Sequence, residues 1–132
     1  MRETKKIIEI RGRKFILNKF DPFFGNFIAF KIFSLQSDSN KEFNLELLLK
    51  SFITGSYEEY ENFTKRILKY CSEILPAGDI PVINSEGNIA ILELDTPLMM
   101  ELFTREMMFN IEGFFEGDPE ALAQIEKENQ SI

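Results

Sequence analysis

The sequence lacks the residue type that proteins use most often for acid–base and metal chemistry. Histidine is absent, which removes the usual general base, the usual zinc ligand and the common activator of serine and cysteine nucleophiles. Cys71 is the single cysteine, so no disulfide within one chain can form. It falls on the apolar stripe of a predicted helix with Ile67 and Leu68, where a free cysteine behaves as a small hydrophobic residue. We therefore expect no nucleophilic site at Cys71.

Three carboxylates, on Glu58, Glu59 and Glu61, are close enough in sequence to suggest a metal or acid–base site. Without histidine, such a metal site would need carboxylate ligands almost alone. The same residues begin a predicted helix, where the helix dipole favours acidic side chains, so we interpret them as a solvated first turn. Asp118 before Pro119 is likewise interpreted as a helix start. Since nucleotide-binding and hydrolase glycine motifs are also absent, we predict no enzyme, cofactor or metal site. A carboxylate-dependent hydrolase is the remote alternative.

The charge of the chain argues against nucleic acid as a partner. The formal net charge is −7, and an acidic surface repels phosphate.

No apolar run approaches the roughly 20 residues that cross a bilayer, and the first residues do not have the pattern of a signal peptide. We expect a cytoplasmic protein without a membrane partner. The basic residues near the start are expected on a strand edge, where they oppose edge-to-edge pairing; they are Lys5, Lys6, Arg11, Arg13 and Lys14.

Local patterns predict a single α+β domain over residues 1–132 that is dominated by helices. Two β-branched runs flank a turn at Gly12, which is typical of a β-hairpin. Helix starts are indicated by the aspartate before a proline at Asp21, and by capping-box spacings at Ser39 and Ser56. The predicted elements are an N-terminal β-hairpin at 5–10 and 14–19, a helix at 22–35, a central helical hairpin at 41–54 and 57–74, a second short hairpin at 80–83 and 89–92, and C-terminal helices at 97–110 and 119–128, with 118–132 as a frayed tail.

Phenylalanine is unusually frequent, with 14 copies and no tryptophan. In the first predicted helix Phe23, Phe27 and Phe30 occupy one flank, and the neighbouring flank is apolar as well. Apolar residues therefore wrap more than the stripe of about 100° that one buried face requires. Two interpretations are open. The helix is central to the fold, which we favour, or the Phe23 flank binds a partner.

A second apolar surplus lies in the predicted helix at 97–110. Four of the five methionines fall there, and flexible, polarizable methionine side chains either fill a core or adapt to varied hydrophobic ligands. The pair Phe114–Phe115 is predicted to be an aromatic anchor on a loop. The candidate partner-binding residues are Phe23, Phe27, Phe30, Met99, Met100, Phe103, Met107, Met108, Phe114 and Phe115.

Two stretches of the chain resemble the tail assembly chaperones of long-tailed bacteriophages and related prophages. The opening stretch is IIEIRGRKFILNKFDPFFG, and the closing stretch is LMMELFTREMMFNIEGFFEGDP. The family's marks are a glycine-bearing hairpin, a KFD leading into an aromatic helix with a glycine, and a late FN…FF before an acidic tail. Residues 36–80 match only in helical character. The residues that match these marks are Lys19, Phe20, Asp21 and Gly25, then Phe109, Asn110, Phe114, Phe115 and Glu116.

The resemblance implies a small, helix-rich, non-enzymatic protein that binds the helical tape-measure protein in the infected cell. Such chaperones keep that partner soluble until tail-tube subunits polymerise around it, and they are absent from the mature virion. The tail tube protein is a second candidate partner, and self-association to a homo-oligomer is implied. The alternative function is another phage or prophage structural adaptor, or a tail-completion protein.

Overall fold

The computed structural model describes residues 4–36 and 55–114. These residues form an α+β fold in which a four-stranded antiparallel sheet packs with three helices. The predicted helices at 41–54 and 119–128 lie outside the described residues. The elements are β1 (Lys5–Ile10), β2 (Arg13–Asn18), α1 (Pro22–Gln36), α2 (Tyr57–Leu68), β3 (Cys71–Leu75), β4 (Gly78–Pro81) and α3 (Thr96–Phe114).

The predicted N-terminal hairpin is confirmed. β1 and β2 pair antiparallel, with Ile10 opposite Arg13, and the two residues between them are Arg11 and Gly12. Both have positive φ, of 50° and 80°. This is the backbone conformation that a tight two-residue hairpin turn needs, because its twist matches that of the strands.

The rest of the sheet differs from the prediction. α2 ends at Leu68 rather than near residue 74, and the chain then forms β3, which pairs with β2 with Leu17 opposite Cys71. β4 continues the sheet, giving the order β1-β2-β3-β4. At the predicted second hairpin a single bridge joins Ile83 to Ile89. The expectation of a helix-dominated fold with two separate hairpins was therefore wrong for the described chain.

α3 is the helix that joins the two parts of the core. Its Leu98 and Leu102 pack with residues of the sheet, while Met107 and Met108 pack with α1 and α2. Phe103 contacts both clusters. α1 instead buries one flank and leaves the other largely exposed. Our preference for α1 as the central helix was wrong, because α3 takes that position.

Helix starts were the most reliable local signal. In each described helix the residue before the first turn accepts a hydrogen bond from a backbone N–H of that turn, as capping residues do. These residues are Asp21 for α1, Ser56 for α2 and Asp95 for α3. The N–H groups of Phe24 and Leu98 hold the pKa of Asp21 and Asp95, respectively, below the ordinary value.

Candidate protein-binding surface

The exposed flank of α1 carries three phenylalanines. Phe23 is 87% exposed, Phe27 47% and Phe30 69%. They are brought to one side because the other flank of the same helix packs into the core through Phe24 and residues one and two turns further on. An exposed apolar patch of this kind is typical of an interaction site.

An apolar cleft of about 380 Å³ lies where this flank meets α2. Arg66 of α2 closes one side of it, with its guanidinium carbon 4.3 Å from the centroid of the Phe24 ring, within the range of a cation–π contact. We call this the apolar cleft; its lining residues are Phe23, Phe24, Phe27, Asn62, Phe63 and Arg66.

A second cleft, of about 580 Å³, lies on the other side of Arg66. It is formed by the last turns of α2 and the loop at 86–88, and it brings three cationic side chains to one place. We call it the basic cleft; its lining residues are Asn62, Lys65, Arg66, Lys69, Tyr70, Glu86, Gly87 and Asn88. Asn62 and Arg66 line both clefts, so the two clefts lie side by side against α2.

The loop wall of the basic cleft is held in place by Asn84. Its side-chain Oδ1 accepts hydrogen bonds of 3.0 Å from the backbone N–H groups of Glu86 and Asn88. Its backbone carbonyl accepts the Gly87 N–H at 3.0 Å, and Gly87 has a φ of 84°, which glycine adopts without strain. The wall is thus a closed turn anchored on one side chain.

Tyr70, which lines the basic cleft, is bonded to the start of α1. Its hydroxyl donates a 2.8 Å hydrogen bond to Oδ2 of Asp21, and its ring stacks with Phe24, with centroids 6.0 Å apart. Burial and the bond to Asp21 raise the pKa of Tyr70. These contacts join the start of α1 to the residue that connects α2 to β3.

The methionine-rich helix contributes little to this surface. Met107 and Met108 are 0% and 1% exposed and fill the core, so they are not accessible to a partner. Met99 and Phe103 are half-buried against the core. Met100 is exposed, but it does not line the clefts.

The aromatic pair near the end of α3 is placed differently from its prediction. Phe114 is the last residue of helix α3, so its backbone is helical and the predicted loop does not begin before it. Phe115 lies outside the described residues.

Four of the residues that carry the family resemblance meet inside the fold, namely Lys19, Phe20, Phe109 and Asn110. Lys19 Nζ donates a 2.6 Å hydrogen bond to the carbonyl of Phe109 and lies 3.9 Å from the centroid of its ring. The backbone N–H of Phe20 donates to Oδ1 of Asn110 at 2.7 Å. These residues join the β2–α1 junction to α3, so their role in the described structure is to hold the fold.

Sequence reasoning missed a buried carboxyl group. Glu106 is fully buried, accepts a 2.6 Å hydrogen bond from Asn110 Nδ2 and lies 3.7 Å from Sγ of Cys71. Burial raises its pKa to about 9 and raises the pKa of the Cys71 thiol well above its ordinary value. Both groups are protonated at neutral pH, so Cys71 is not a prepared nucleophile. The i, i+4 spacing from Leu98 and Leu102 to Glu106 was the signal that it lies on the buried stripe.

Cys71 itself is buried as predicted, but it lies in strand β3 and not on a helix.

In the predicted acidic first turn, Glu61 pairs with Lys65 at 3.3 Å, and the side chains of Glu58 and Glu59 are exposed to solvent. Within residues 4–36 and 55–114, no group of three acidic, cysteine or histidine side chains could hold a metal ion.

The strand-edge prediction applies to part of the basic cluster. Lys5 and Lys6 lie on β1, which is an edge strand of the described sheet. Arg13 lies in β2, which is not an edge strand of the described sheet. Its guanidinium makes two hydrogen bonds, of 2.8 and 2.9 Å, to the buried carboxylate of Glu73.

Among the described helices, none combines the length and the apolar character that crossing a membrane requires.

Comparisons with protein-family models, with curated proteins and with solved structures gave no significant match to the chain.

Proposed function

We propose that this chain is a non-enzymatic tail assembly chaperone of a long-tailed bacteriophage or prophage. It binds amphipathic helices of the tape-measure protein in the host cytoplasm, keeps that protein soluble during tail morphogenesis, and is left out of the mature virion. The observation that carries the proposal is the exposed flank of Phe23, Phe27 and Phe30 beside the apolar cleft.

The physical support is the combination of this flank with an acidic chain. Exposed aromatic side chains offer apolar area to a partner's helix, and a net charge of −7 favours solubility of the resulting complex. The resemblance of the opening and closing stretches to the chaperone family supplies the identity of the partner.

Co-expression with the tape-measure protein of the same phage or prophage tests the proposal. Wild-type chain is expected to move the tape-measure protein from the insoluble to the soluble fraction. The double variant Phe23→Ser/Phe30→Ser is expected to lose most of this effect, because both side chains are exposed and both lie on the proposed surface. Leu92→Ser is the matched control, since Leu92 is about as exposed (84%) but does not line the apolar cleft.

Failure of the wild-type chain to solubilise the tape-measure protein would overturn the proposal. Mass spectrometry of purified particles is the second test. Absence of the chain is expected, whereas its presence in stoichiometric amounts would favour a structural adaptor or tail-completion protein.

A further inference from the structure

The apolar and basic clefts differ in chemistry but share one wall. Three rings from α1 and one from α2 line the apolar cleft. Three cations, Lys65, Arg66 and Lys69, and one carboxylate, that of Glu86, line the basic cleft; Lys65 is also paired with Glu61. Arg66 lies at the boundary, with its charge beside the Phe24 ring. A ligand that follows α2 would therefore pass from an aromatic surface to a positively charged one.

The positive end is notable because the chain as a whole is acidic. Lysine and arginine near a helix C-terminus are favoured by the helix dipole, which accounts for basic residues in the last turn of α2. The dipole does not account for the loop at 86–88 that faces them and forms a concave cleft. Carboxylates are the partner groups that such a cleft complements.

We propose that the two clefts together bind one amphipathic helical segment of a partner, with an apolar anchor in the apolar cleft and acidic side chains in the basic cleft. Phe63 lines the apolar cleft alone, and Lys69, the residue that follows α2, lines the basic cleft alone. They are six residues apart in the chain, which corresponds to about 9 Å at 1.5 Å per residue. A ligand helix that lies along α2 would thus place its anchor and its carboxylates about six residues apart.

This inference deepens the proposed function, and it rests on that function for the identity of the partner. The chemistry of the recognised segment can be tested separately with synthetic peptides.

The probe is a fluorescein-labelled 18-residue helical peptide with leucine and phenylalanine anchors in its first two turns and three glutamates about six residues later. A second peptide carries lysines in place of the three glutamates. Binding to the full chain is measured by fluorescence anisotropy at about 0.15 M salt, where a Debye length of about 8 Å screens the net charge of the chain more than it screens close ion pairs. The wild-type chain is expected to bind the glutamate peptide at least about fivefold more tightly than the lysine peptide, on the scale of one or two exposed ion pairs.

Charge-reversal variants locate the binding site. Lys69→Glu is expected to weaken binding of the glutamate peptide by about fivefold and to improve binding of the lysine peptide. Lys14→Glu is the control, because it changes the net charge by the same amount at an exposed position in strand β2. Circular dichroism of each variant checks that its secondary structure is retained, and Lys69→Gln provides a second, milder variant.

Equal affinity of the wild-type chain for both peptides would overturn the inference, as would equal effects of Lys69→Glu and Lys14→Glu. If neither peptide binds but the tape-measure protein is still solubilised, the inference that the two clefts bind one helix fails and the proposed function stands. If the glutamate peptide binds with the expected variant pattern but co-expression gives no rescue, the proposed function fails and recognition of acidic amphipathic helices stands.

Discussion

The side-chain oxygen of Asn110 accepts the backbone N–H of Phe20 at 2.7 Å, deep in the protein. Its amide nitrogen donates to the carbonyl and the carboxyl group of Glu106, at 3.0 and 2.6 Å. One side chain thus satisfies polar groups at the junction between β2 and α1 and on α3. Because an asparagine has both an acceptor and two donors, no apolar residue of similar size could replace it.

Asn110→Ala is therefore expected to destabilise the fold by about 1–3 kcal/mol, since the Phe20 N–H would be left buried without an acceptor. Urea denaturation followed by circular dichroism measures the change. Asn62→Ala is the control, because Asn62 is exposed and its replacement should change stability by no more than about 0.5 kcal/mol. Equal stability of Asn110→Ala and wild type would contradict a structural role for this residue.

A second prediction concerns Arg13 and Glu73. Arg13 also donates to the carbonyls of Leu92 and Glu93, at 2.8 and 3.3 Å, so it links the sheet to the segment before α3. Arg13→Ala would leave the largely buried Glu73 carboxylate without its cation, and we expect a loss of about 2–4 kcal/mol. Arg11→Ala is the matched control.

Arg11 makes a 3.2 Å pair with Asp95, but both side chains are more than half exposed, and exposed pairs contribute at most about 1 kcal/mol. A comparable loss in both variants would mean that burial does not distinguish the two pairs.

The pH dependence of stability is a second test of the Arg13–Glu73 pair. Hydrogen bonding to Arg13 lowers the pKa of Glu73, so this contribution is present above the ordinary glutamate pKa and is lost as pH falls through the lowered one.

Glu73 also explains why strand β3 was missed from the sequence. The spacing of Phe63, Ile67 and Cys71 continues a helical stripe, and the strand pattern that follows is interrupted by a carboxylate at an inward position. That position is tolerated because Arg13, sixty residues earlier, neutralises it. Pairing between residues so far apart in the chain leaves no local periodicity to detect.

The features that were predicted correctly are those set by neighbours in the chain. The hairpin turn at Gly12 and the caps at Asp21 and Ser56 depend on a few adjacent residues. The candidate site was predicted in part, because periodicity separates the Phe23 flank from the buried one. The basic cleft could not be predicted, since it needs the loop at 86–88 to be placed beside α2.

A third prediction separates core from surface methionines. Met107→Lys is expected to prevent stable folding, because it would place a charge in a fully buried position. Met107→Ala should cost about 2–5 kcal/mol through loss of packing. Met100→Lys, at a 65% exposed site on the same helix, should leave the urea midpoint nearly unchanged. A folded Met107→Lys variant with normal stability would show that this part of α3 is accessible after all.

The last prediction follows from Glu106, whose pKa is raised to about 9 by burial. The folded state holds this proton more tightly than the unfolded state, where glutamate titrates near its ordinary value of about 4.3. The contribution of Glu106 to stability is therefore largest below about pH 4 and decreases as pH rises toward 9. Glu106→Gln keeps a neutral side chain of similar size and removes this dependence.

The measurement is the difference in unfolding free energy between Glu106→Gln and wild type at pH 5 and at pH 9. We expect the difference to shift in favour of the variant as pH rises. Taking the difference cancels groups that both proteins share, such as Asp21 and Asp95, whose lowered pKa values act at acidic pH. Cys71 and Lys19 face Glu106, so Cys71→Ser and Lys19→Met in the Glu106→Gln background test whether they contribute. A difference that stays constant between pH 5 and pH 9 would mean that Glu106 is ionised alike in the folded and unfolded states, and hence that its site is more hydrated than its burial indicates.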